Sequence, residues 1–146
     1  MNLELRKRAD REAMAYRENL AYIKGVQDGM DTPGLAHTNL SRGYHDRVRW
    51  VWAVDRVRER LAQYEPLMED FFVRYYALDG DARTHPTKLT SLAGTPVRPH
   101  RKGENMIRTA AEMHIGVSTL YKWREHVLDQ LVLAATQAGA LEPFLK

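Results

Sequence analysis

The fifteen residues Thr109-Ala110-Ala111-Glu112-Met113-His114-Ile115-Gly116-Val117-Ser118-Thr119-Leu120-Tyr121-Lys122-Trp123 constrain this chain more than any other stretch. They read as a short helix, a tight turn and a second helix. Ala110 falls where the first helix must approach the second closely, so a large side chain there would hold the two apart. Met113, Ile115, Leu120 and Trp123 occupy the positions that must be apolar to bury the angle between the helices. Val117, Ser118, Tyr121, Lys122 and Glu125 are left facing outward. This is the spacing of a helix-turn-helix, whose second helix fits the roughly 12 Å wide major groove of DNA and can present side chains to base edges. An ordinary helical hairpin uses the same spacing, so the context must decide.

Upstream, the chain is helical by pattern. From about Leu3 to Gln27 the apolar residues Ala13, Tyr16, Leu20, Ile23 and Val26 recur at steps of three and four, opposite Arg11, Glu18 and Lys24. That predicts one long N-terminal helix. Gly29 to Gly43 reads as a linker, with Asp31-Thr32-Pro33-Gly34 as turn chemistry. Helical periodicity returns near Asp46, with Val48, Val51, Trp52, Val54, Val57, Leu61 and Tyr64 as a broad apolar face. Trp50 and Trp52 point to different faces, so the two do not share one core. Pro66 predicts a break, because proline suits a first turn and not a helix interior. Leu67, Met68, Phe71, Phe72, Tyr75 and Tyr76 then form an aromatic helix that ends near Asp79-Gly80 and on which the C-terminal pair is expected to pack.

Between Asp81 and Gly103 the pattern is lost, and Arg98-Pro99-His100-Arg101-Lys102-Gly103 is a basic, proline-punctuated loop directly before the motif. Glu104 or Asn105 is the expected cap of the following helix. The last helix should run to about Thr136 and stop at Gly139, leaving a tail with Leu141, Phe144 and Leu145. The expected fold class is all-α: a helical bundle with a C-terminal helix-turn-helix and a long N-terminal helix. Residues 1–43 form the N-terminal helix and linker, and residues 44–146 a helical domain whose motif spans about 105–136.

The totals set limits on function. With 146 residues, 44% of them hydrophobic and 28% charged, the chain can bury a core of one domain. The net charge is only +3, so distribution matters more than sum. Arg42, Arg47, Arg49, Arg56, Arg58 and Arg60 crowd one region, and Arg98, His100, Arg101 and Lys102 another. Such clusters serve as phosphate-contacting patches or as solvated helix faces. Cysteine is absent, which suits a reducing compartment and removes thiolate chemistry. The N-terminus lacks a signal-peptide core, and no apolar run approaches the roughly 20 residues that cross a bilayer. The expectation is therefore a soluble protein of the cytoplasm.

No phosphate-cradling glycine loop, H-E-x-x-H or nucleophile motif occurs, and the six histidines lack ligand spacing. Neither catalytic residues, a metal site nor a cofactor is expected. For a DNA-binding role, Val117, Ser118, Tyr121, Lys122 and Glu125 are the expected base-edge contacts, with Lys122 reaching guanine acceptors and Glu125 accepting from cytosine N4. Thr119, Arg124, Arg101 and Lys102 are the expected phosphate contacts, which set position rather than sequence.

The order from Val54 to Leu131, an aromatic helix leading into a C-terminal helix-turn-helix, resembles the fourth region of bacterial sigma factors, with Ser118-Thr119-Leu120-Tyr121 as the most similar piece. Leu67 to Tyr76 is similar to the helix that precedes the motif in such proteins. In length and layout the chain resembles the small phage-encoded regulators of late transcription of the ArpU and RinA kind. Two positions depart from that pattern: His114 stands where the turn usually has glycine, and Gly116 where a serine cap is common. The resemblance implies a transcription regulator that binds double-stranded DNA, with RNA polymerase and a second copy of the chain as further candidate partners. The alternatives are a phage small terminase subunit, which packages DNA, and a helical interaction module whose hairpin binds protein.

Overall fold

The computed structural model describes residues 2–30, 42–80 and 103–141. Among these residues six helices and no strand occur: α1 (Leu3–Met14), α2 (Tyr16–Met30), α3 (Arg42–Tyr64), α4 (Pro66–Tyr76), α5 (Glu104–Met113) and α6 (Val117–Ala138). The protein is an all-α bundle. No described helix is long and apolar enough to cross a membrane.

The punctuation of the sequence sets several boundaries. Pro66 occupies the start of α4, where its missing N–H costs nothing, and Glu65 is the single residue between α3 and α4. Gly139 closes α6 at φ 84°, a left-handed conformation that glycine adopts without Cβ strain. Elsewhere packing overrides local pattern. The single N-terminal helix expected over 3–27 is interrupted at Ala15, although neither proline nor glycine marks the place. The reason is tertiary. α1 lies on α6 and α3, while α2 turns to run mainly along α3. The third helix also begins at Arg42, earlier than the apolar pattern suggested, and α2 extends through Gly29, which was read as linker.

α3 is the axis of the bundle, packed against α2, α4 and α6. Its buried side chains are Trp50, Ala53, Val54, Val57 and Leu61, a stripe of helical period. Trp52 was expected on this face and is instead 45% exposed, with Trp50 fully buried in its place. The main core adds Ala9 and Ala13 from α1, Tyr16 from α2, Met68, Phe72 and Tyr76 from α4, and Val127, Leu128, Leu131 and Val132 from α6. The N-terminal helices therefore share one core with the remainder.

Two buried tyrosines tie the N-terminal half to this core. Tyr16 donates a 2.6 Å hydrogen bond to Asp55, and Tyr76 a 2.7 Å bond to Asp10. Burial first, then the neighbouring carboxylate, pushes both phenols well above their ordinary value of 10.0. A group with a raised folded pKa stabilises fully below its unfolded pKa and loses that contribution as pH rises above it. The urea midpoint should therefore hold up to about pH 9.5 and then fall between about pH 10 and 12. Tyr76→Phe should show a shallower alkaline loss than the parent chain. An identical slope would mean that Tyr76 ionises freely in the folded state.

Candidate nucleic-acid interface

The C-terminal pair is built on the aromatic helix. Phe71 of α4, Met106 and Ala110 of α5, and Leu120 of α6 form a second, smaller core cluster. Tyr75 and Trp123 border both clusters and join them. Phe71 lies stacked on Tyr75 with centroids 5.4 Å apart, and edge-on to Trp123 at 6.2 Å. Ala110 is 5% exposed, as a close approach of α5 to α6 demands. Asn105 was expected as a cap; its side chain instead donates to the carbonyl of Tyr75 at 2.9 Å, pinning α5 to the end of α4. The N-cap position falls to Gly103 at φ 84°, and Glu104 is already in the first turn.

The turn between α5 and α6 resolves the two departures noted in the sequence. His114 takes the left-handed conformation, φ 57° and ψ 42°. The Ile115 amide donates to Ala110 (3.1 Å) and the His114 amide to Ala111 (3.4 Å), the paired bonds of a Schellman closure. Histidine is among the residue types that tolerate this region better. Gly116 is extended, φ −62° and ψ 144°, and gives the first turn of α6 no side-chain cap. Nothing lies within 4 Å of where its Cβ would stand. A capping serine or aspartate would fit there, and the sequence leaves it out.

The first two turns of α6 then present Ser118, Thr119, Lys122 and Glu125 to solvent. Lys122 makes no ion pair among the described residues, and no acidic residue falls in the first turn of α6. Tyr121 is 43% exposed, and its hydroxyl lies 3.4 Å from where a Cβ on Gly103 would stand, so its ring leans over the start of α5. Glu125 contributes to the field that holds the Arg6 guanidinium above its ordinary value, after the Asp129 hydrogen bond, which is the main cause.

Two expected contacts are placed otherwise. Val117, expected at base edges, is half-buried and packs against the Phe71 cluster. Arg124 was expected on phosphate but turns inward, where it pairs with Asp10 of α1 at 3.2 Å. The period of α6 explains both, since Val117 and Arg124 lie on the side of Leu120, Val127, Leu128 and Leu131. Arg101, Lys102, the remainder of the basic loop, the 31–34 turn, and Phe144 and Leu145 lie outside the described residues. One residue that sequence reading passed over is Arg108, on the side of α5 away from Met106 and Ala110 and without an ion pair among the described residues. Its helical phase would have found it. The open amides of the first turn of α6 were also missed, because a residue-by-residue reading looks for side chains.

No family model, curated protein or solved structure matches the chain.

Proposed function

We propose that the chain is a sequence-specific DNA-binding transcription regulator that inserts the first two turns of α6 into the major groove. The observation that carries this reading is the uncapped, cation-bearing start of α6. Its free amides and helix dipole favour an anion, and Ser118, Thr119 and Lys122 add donors one turn deep. In this reading Ser118, Tyr121, Lys122 and Glu125 meet base edges, Thr119 and Arg108 meet phosphate, and Arg101 and Lys102 add charge from the preceding loop. Val117 and Arg124 hold the helix in place. The resemblance to phage late-transcription regulators supplies the biological setting, and RNA polymerase and a second copy of the chain belong to the same proposal.

Gly116→Asp separates fold from function. An aspartate cap should raise stability by a few tenths of a kcal/mol over glycine. It should also weaken duplex DNA binding about tenfold or more, by placing a carboxylate where the phosphate sits. Lys122→Ala should lose about 1–3 kcal/mol on a preferred site and far less on random duplex. Fluorescence anisotropy with labelled duplexes, alongside a thermal melt of each variant, checks both. Unchanged affinity for Gly116→Asp would remove the start of α6 from the interface.

A further inference from the structure

α3 carries a second stripe that the core does not use. On the side of α3 away from Val54, the exposed residues His45, Arg49, Trp52, Arg56 and Arg60 follow one another along the helix, with Val48 beside Trp52 and Arg49 reaching towards Gly139 at the end of α6. Trp52 is 45% exposed and Val48 37% exposed. They stand four residues apart, so their side chains are neighbours on the helix surface.

The arginines beside this pair differ from those that fasten the bundle together. Arg6, Arg8, Arg58 and Arg74 all have carboxylate partners: Asp129, Glu12 and Asp46, Glu69 and Asp79, and Asp70 and Glu112. Arg49 and Arg60 have none among the described residues. Among the described residues Arg56 meets only Glu59, at 3.8 Å and in solvent, a pair worth little. Sequence economy does not require a tryptophan here, because Trp50 already fills the core position two residues earlier.

We propose that this face of α3 docks a partner protein that presents an apolar pocket rimmed by carboxylates. Trp52 is the anchor that enters the pocket, with Val48 widening the apolar contact. Arg49, Arg56 and Arg60 are the rim that selects an acidic partner and steers its approach. Tryptophan and arginine are the residue types that most often dominate interface energies, and a central apolar anchor inside a charged rim is how such interfaces are built. Duplex DNA fits less well: its backbone offers no apolar pocket to an indole standing between arginines, and wedging it between bases would require unstacking. The proposal is independent of the DNA reading of α6, since the residues lie on a different helix.

The test is selection of a displayed library of short peptides on the full chain, with Trp52→Ala as the counter-target. Enriched peptides are expected to combine an aromatic or aliphatic residue with flanking Asp and Glu. Their affinity should fall about tenfold or more on Trp52→Ala and at least as far on Arg49→Glu/Arg56→Glu, and should weaken with added salt. These side chains are exposed, so unchanged thermal melts should accompany the losses. Enrichment that is equal on Trp52→Ala, or that selects no acidic residues, overturns the proposal. So does duplex DNA binding that drops by the same factor on Trp52→Ala, which would assign the face to nucleic acid. A chain ending at Leu141 that alone gains peptide binding would also overturn it, by showing that the protein's own C-terminal residues cover the face.

Discussion

Replacing Phe71 with alanine is expected to lower the unfolding free energy by about 3–5 kcal/mol, the range for deleting a fully buried aromatic ring. Phe71 has no exposed surface and is the point where α4, α5 and α6 meet. Its loss removes a stacked partner from Tyr75 and an edge contact from Trp123, in addition to the transfer term. The damage should be uneven. α5 packs on α4 and α6, so amide exchange in residues 104–113 should accelerate first. Leu61→Ala, in the main core, should lower global stability without singling out α5. Urea denaturation with residue-resolved hydrogen exchange distinguishes the two variants. Uniform acceleration in Phe71→Ala would show that the C-terminal pair is not hung on this ring.

The second large effect concerns Asp10. One carboxylate accepts from the buried Tyr76 hydroxyl at 2.7 Å and pairs with Arg124 at 3.2 Å. The Arg124 Nε is itself buried without a hydrogen-bond partner, and besides the Tyr75 hydroxyl the guanidinium has the Asp10 carboxylate to balance its charge. Asp10→Ala leaves a buried phenol and a half-buried cation without that acceptor and should cost about 2–3 kcal/mol, in line with lost hydrogen bonds to charged groups. Adding Arg124→Met should recover a large part of it, because removing both members of a poorly solvated pair costs less than removing one. A double-mutant cycle by urea denaturation measures the coupling. Additive losses would mean that Arg124 finds solvent as readily as Asp10. This pair, with the Arg6–Asp129 contact at 2.6 Å, fastens α1 across the helix proposed to read DNA.

Local rules explain the parts of the fold that were legible in advance. Pro66 and Gly139 mark helix ends because proline and glycine restrict or free the backbone whatever surrounds them. The aromatic run Phe71, Phe72 and Tyr76 is core because few other positions can hide that much apolar area. The close approach at Ala110 and the burial of Leu120 follow from the same spacing that suggested a turn between two helices. What was not legible depended on distant partners. The interruption at Ala15 has no local cause, and arises because α1 and α2 find different neighbours. Trp50 and Trp52 are two residues apart, and only the packing of α2, α4 and α6 around α3 decides which is inside. Arg124 looks like a phosphate ligand until Asp10, far away in sequence, is seen to face it. The outward residues Ser118, Thr119, Lys122 and Glu125 were legible as a helix face, since periodicity alone leaves them out of the core.

The proposed reading of DNA by α6 is tested most directly by selection from random duplex DNA at low ionic strength. It predicts a defined consensus, bound by the full chain with a steep loss of affinity as salt rises, and lost or altered at one position in Lys122→Ala. Recovery of no sequence preference, or a consensus that Lys122→Ala and Gly116→Asp bind as well as the parent, would contradict it.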